Sequence, residues 1–116
     1  MTITIEAFTG TETVGTTEWS MTTDTSGPDA DTTTGMFQAF LDLNAVAAGD
    51  VFRFAVYEKC RTGDTQRLVY TAEFSGAQVS PVWVSPGLLL GVGWDMTLKK
   101  ISGTDRTINW RISKSA

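Results

Sequence analysis

The chain has 116 residues, 41% hydrophobic and 19% charged, with thirteen acidic and nine basic residues and a formal net charge of −4. A chain of this size buries roughly two-thirds of its unfolded surface, so one domain over residues 1–116 with its own core is expected and a disordered chain is excluded. The acidic balance argues against a nucleic-acid partner, whose phosphates call for clustered Lys and Arg, and the single cysteine, Cys60, excludes an internal disulfide.

Residues 2–8 form the first expected strand, with Ile3, Ile5 and Ala7 on one face. Residues 9–17 are rich in Thr, Gly and Glu and weakly patterned. Trp19 and Met21 then alternate with polar neighbours as a second strand, and residues 24–35 lack any large apolar side chain. The Gly27-Pro28 pair breaks regular structure there, so residues 9–35 read as a Thr-rich loop or arm. Phe37, Ala39, Leu41 and Leu43 mark a strand over 36–43, and 44–48 is expected to make one helical turn before Gly49-Asp50.

From there the alternation is regular. Phe52, Phe54 and Val56 share one face and Arg53, Ala55 and Tyr57 the other; Leu68, Tyr70, Ala72 and Phe74 repeat the pattern after the turn at Arg61–Asp64. A period of two is the signature of half-buried strands, whose successive side chains point to opposite faces. Val82-Trp83-Val84 lies between Pro81 and Pro86, which places it at a sheet edge because proline donates no ladder hydrogen bond. Strands over 92–101 and 106–113 follow, and the short Ser102–Asp105 link reads as a hairpin loop. The sum is an all-β, single-domain antiparallel β-sandwich of about eight strands with jelly-roll or other Greek-key wiring.

Chemistry is sparse. Without histidine, Ser-His-Asp and Cys-His machinery and the usual zinc or iron ligation are excluded. Cys60, between Lys59 and Arg61, reads as a passive strand-end residue. Asp24, Asp29 and Asp31 share one loop and are weak candidates for oxygen ligands of calcium, without EF-hand spacing. Gly91-Val92-Gly93 lacks the third glycine of a dinucleotide fingerprint and suits a bulge or close strand approach. No cofactor and no small-molecule substrate is implied. The longest apolar run, near residues 87–92, is too short to span a bilayer, and the N-terminal residues lack a basic, apolar leader, so no membrane is expected. Four tryptophans, Trp19, Trp83, Trp94 and Trp110, serve either as core or as sugar-stacking platforms. Trp94 and Trp110 are in register with aliphatic neighbours and favour the core, whereas Trp83 suits an exposed, interface position. Charge is uneven along the chain, net −8 over residues 1–58 and +4 over 59–116, which reflects either solvated faces or a polar molecule that docks in a fixed orientation.

Several stretches together resemble a known group. They are Thr13-Val14-Gly15-Thr16-Thr17-Glu18-Trp19-Ser20, Thr33-Thr34-Gly35-Met36-Phe37-Gln38-Ala39-Phe40-Leu41-Asp42-Leu43, Ala48-Gly49-Asp50, Val56-Tyr57-Glu58-Lys59, Gln66-Arg67-Leu68-Val69-Tyr70, Gly93-Trp94-Asp95-Met96-Thr97-Leu98-Lys99-Lys100 and Gly103-Thr104-Asp105-Arg106-Thr107. In order and length the chain resembles small virion structural proteins of tailed bacteriophages. That resemblance implies a non-enzymatic head decoration, or cement, protein that stabilises the capsid by bridging major capsid subunits. It further implies a homo-oligomer on the outer head surface of the virion, made in the host bacterial cytoplasm. Residues 9–35 would then lie on the capsid, with Glu12, Thr13, Glu18, Pro28 and Trp83 as interface candidates. Two alternatives stay open: a tail or head–tail accessory protein, and a carbohydrate-binding adhesin module using exposed tryptophans.

Overall fold

A computed structural model describes residues 2–115. Ten strands form two five-stranded antiparallel sheets: β1 (Ile3–Val14), β2 (Trp19–Ser20), β3 (Thr25–Ser26), β4 (Gly35–Asp42), β5 (Val51–Glu58), β6 (Arg67–Ser75), β7 (Val82–Val84), β8 (Leu88–Leu90), β9 (Asp95–Ser102) and β10 (Arg106–Ser115). Sheet A runs β1-β10-β4-β7, with β8 also pairing β4; sheet B runs β3-β2-β9-β5-β6. Among the described residues there is no helix, and so none long and apolar enough to cross a membrane.

The wiring is a jelly roll. β1 pairs β10, β2 pairs β9, β4 pairs β7 and β5 pairs β6, so the chain folds back on itself as one long nested hairpin wrapped into two sheets. Each of these ladders joins a strand from residues 1–58 to one from 59–116. The uneven charge along the sequence is therefore interleaved in space.

The expected alternation produces the core. Phe37, Ala39 and Leu41 of β4, Phe52, Phe54 and Val56 of β5, Met96 and Leu98 of β9, and Ile108 and Ile112 of β10 are all fully buried between the sheets. Trp94 lies at the centre of an aromatic group, 4.3 Å from the Phe37 ring centroid and 5.7 Å from that of Phe8.

Four features depart from the sequence reading. First, β1 continues through Val14, so residues 9–14 are not loop but pair with Thr107–Arg111 and Arg106 of β10. The even positions Phe8, Gly10, Glu12 and Val14 face inward opposite Ile112, Trp110, Ile108 and Arg106, while Ile3 and Ile5 lie exposed on the outer face. Gly10 is demanded by the Trp110 ring, which occupies the place a Cβ would take. Gly10→Ala is expected to cost about 1–3 kcal/mol, the usual range for overpacking, read as a lower urea midpoint at unchanged m-value. Second, the Ser102–Asp105 link is not a hairpin: β9 belongs to sheet B and β10 to sheet A, so the link crosses between layers. Third, residues 44–48 form turns, closed by Val46 N–H to Leu43 O and Asp50 N–H to Ala47 O, rather than a helical turn. Fourth, the second expected strand shrinks to Trp19–Ser20, because the chain then turns to add β3 and to cover the outer side of sheet B.

Candidate functional site

The acidic loop does not converge on one point. Asp24 Oδ1 accepts from Trp19 Nε1 at 2.9 Å, Asp29 Oδ2 from the Thr23 hydroxyl at 2.8 Å, and Asp31 Oδ1 from its neighbour Thr33 N–H at 2.7 Å. Asp31 also bridges Trp94 through the main chain. Each carboxylate thus organises its own turn, and among the described residues no group of three His, Cys, Asp or Glu is placed to hold a metal ion.

A polar cluster that the sequence does not announce lies on the outer side of sheet B. Glu18 folds back onto the sheet: its Oε2 accepts from the Tyr57 hydroxyl and the Thr97 hydroxyl, each at 2.5 Å, with Arg53 Nη2 at 3.6 Å. Burial, reinforced by the Glu18 carboxylate, pushes the Tyr57 hydroxyl up to about 12. Beside it, fully buried Asp95 accepts from Thr22 Oγ1, Asp29 N–H and Met96 N–H. Burial raises the Asp95 pKa, against the opposing pull of these donors. The cluster ties residues 18–29 down over β5 and β9; partners lie 39 and 79 positions from Glu18, which is why no local motif marks it.

Two further carboxylates hold loops. Glu58 Oε2 accepts from Gly91 N–H at 2.8 Å and Val92 N–H at 3.2 Å, fixing the chain after β8. Gly91 lets that segment approach the Thr34 backbone closely, as the glycine pattern implies. Asp50, only 2% exposed, accepts from Thr104 N–H, Ala47 N–H and Arg106 Nε at 3.0, 3.0 and 2.7 Å. The Thr104 and Ala47 amides, then Arg106, draw its pKa from 3.8 down to about 2. The folded protein therefore binds this proton less tightly than the unfolded chain, so the stabilisation is present above the ordinary carboxylate value and lost as pH falls through about 2. Urea midpoints of the wild type and Asp50→Asn are expected to differ at neutral pH and to draw together as the solution is acidified.

The tryptophans are not a sugar platform. Trp94 and Trp110 are buried, at 0% and 5% exposure, and Trp110 Nε1 donates to Met21 O. Trp83, expected outside, shares the register of buried Leu41 and packs between Phe54 and Phe74, with ring centroids 5.2 and 4.9 Å away. Its neighbours Val82 and Val84 are the exposed residues, at 56% and 41%. Trp19 is half-buried against the core and held by Asp24.

Of the interface candidates, Thr13 is exposed on β1 and its hydroxyl meets that of Thr107 at 3.0 Å, Glu12 is half-buried on the same strand, and Pro28 is exposed in the loop after β3. β1 has a free edge along its twelve residues, interrupted by a bulge between Thr4 and Phe8. Cys60 is exposed at the end of β5, beside an open groove of about 670 Å³ whose walls include Met36, Leu89 and Lys59. Compared with family models, with curated proteins and with solved structures, the chain has no match in any of the three.

Proposed function

We propose that the chain is a non-enzymatic structural subunit of a tailed-phage virion, seated on the outer head as a decoration protein that bridges major capsid subunits. The observation that carries this reading is the free β1 edge, the open side of a long strand with exposed Thr9, Thr11 and Thr13, mounted on a jelly roll. An unpaired edge is a template for pairing with another chain, and β1 contains neither proline nor lysine to blunt it. Support also comes from the carboxylates: Glu18, Asp50, Glu58 and Asp95 spend their oxygens on fixing loops, which makes the body stiff. Jelly rolls serve viral capsids and lectins alike, and the inward tryptophans favour the first of these. A cement protein adds contact area between subunits, with about 1,600 Å² buried in a standard interface.

The test is electron cryomicroscopy of the particle whose genome encodes this chain. Symmetric copies across the outer head lattice, with β1 and the following loops against the capsid, are expected; density confined to the tail, or none on the particle, overturns the assignment. Because charge is interleaved, retention on particles is expected to be insensitive to salt up to about 1 M, where surface electrostatics are screened within about 3 Å. Release that rises steeply with salt would instead assign docking to charge.

A further inference from the structure

The outer face of sheet A has a regular layout. Register sets Leu89, Met36, Ser115 and Ile3 in one row across β8, β4, β10 and β1. A second row is Val84, Phe40, Arg111 and Thr9, and a third is Val82, Asp42, Asn109 and Thr11. Between the first two, Gln38 stands beside Ser113. Leu89 is 80% exposed, Ile3 57%, Val82 56% and Met36 48%, an uncovered apolar face of the kind that marks an interaction site.

We propose that this face is the interface of an isologous dimer, its occupant a second copy of this chain. The first argument is shape. In two rows β4 is large (Met36, Gln38) where the neighbouring β10 positions are small (Ser115, Ser113), and a shallow depression of about 290 Å³ lies between them, lined by Ile3, Met36 and Ser113 among others. A two-fold axis in the plane between two such faces, parallel to the strands and midway between β4 and β10, lays Met36 and Gln38 of each copy on Ser115 and Ser113 of the other. It also sets Leu89 over the other copy's Ile3. An isologous interface requires this self-complementarity.

The second argument is charge. The face carries one cation and one anion, Arg111 and Asp42, on neighbouring strands and adjacent rows, and among the described residues neither makes a salt bridge. The Arg111 guanidinium stacks on Phe40, 3.9 Å from its centroid, and its Nε is buried without an acceptor. The same axis brings Arg111 of each copy over Phe40 of the other, one row from that copy's Asp42, so both charges find a partner twice.

The third is area. The molecule measures 40 × 30 × 20 Å, the short dimension being the two-layer thickness. A patch of about 25 × 25 Å on the broad side gives about 600 Å² per copy and about 1,200 Å² in all, the lower bound of stable specific interfaces. The dimer uses the face of sheet A, not the hydrogen-bonding edge of β1, so it stands or falls separately from the capsid docking.

Light scattering coupled to size exclusion tests this, from micromolar concentration to about 0.1 mM. The wild type is expected at twice 12.6 kDa, and Met36→Glu and Leu89→Glu at the monomer mass with unchanged circular dichroism and a cooperative urea transition whose midpoint does not depend on protein concentration. Asp42→Arg and Arg111→Asp are each expected to be monomeric, and an equimolar mixture of the two to recover the dimer, since each then supplies the charge the other lacks. A monomeric wild type across the range overturns the proposal. So does a dimer that survives Met36→Glu and Leu89→Glu, or a mixture of the two charge variants that stays monomeric.

Discussion

Replacing Trp94 with alanine is expected to remove about 3–5 kcal/mol of folding stability, the range for deleting a large buried aromatic. Trp94 has no exposed surface, stacks on Phe37, meets Phe8 edge-on and donates its Nε1–H to Thr33 O at 2.9 Å. Its backbone also exchanges hydrogen bonds with Asp31, so the ring anchors the loop before β4 as well as filling the space between the sheets. Trp94→Phe keeps an aromatic ring but surrenders one hydrogen bond and part of the buried volume, so its expected loss is smaller, about 1–3 kcal/mol. Urea unfolding followed by far-ultraviolet circular dichroism measures both. A loss below about 1 kcal/mol for the alanine variant would place Trp94 outside the core.

Gly103→Ala is the second large effect, expected at about 2–6 kcal/mol, because two penalties coincide. Its φ of +93° lies in the left-handed region, where a side chain costs about 1–3 kcal/mol. The added Cβ would also meet Asp50, both its carboxylate and its backbone, at the point where Thr104 and Arg106 converge. That overpacking adds about 1–3 kcal/mol. Gly63 is the control: its φ is +90°, yet nothing lies within 4 Å of the added Cβ. Gly63→Ala is expected to cost only the backbone part. Equal losses at the two positions would show that the Asp50 junction is not tightly packed.

How far the sequence reveals this structure depends on where the information lies. β4, β5, β9 and β10 are legible because each alternates large apolar and polar residues, and each is central in its sheet. The second half of β1 is not, since its inward positions include Gly10 and Glu12, which contribute no apolar signal; the ladder to β10 makes it a strand. The proline pair around Val82–Val84 does mark an edge, but parity decides which side chain points out, and pairing with Leu41 turns Trp83 in. The Ser102–Asp105 link has the length of a hairpin loop, and only the long-range pairing of β9 and β10 with other strands distinguishes it from one. The Glu18 cluster and the Arg111–Asp42 face are assembled from residues far apart in sequence. Their chemistry exists only once the sheets do.

The nested pairing also governs how the chain emerges and matures. Among the described residues of the first 58, the only complete ladder is the two-residue β2–β3 pair; β1, β4 and β5 all wait for strands encoded later. Apart from the two-residue β2–β3 pair, the shortest loop to close belongs to β5–β6, across residues 59–66, and the longest to β1–β10, so loop-closure entropy orders the long ladders from the middle of the sequence outward. β1 is thus made first and stitched in last, so this edge strand stays unpaired on both sides until the body behind it is finished.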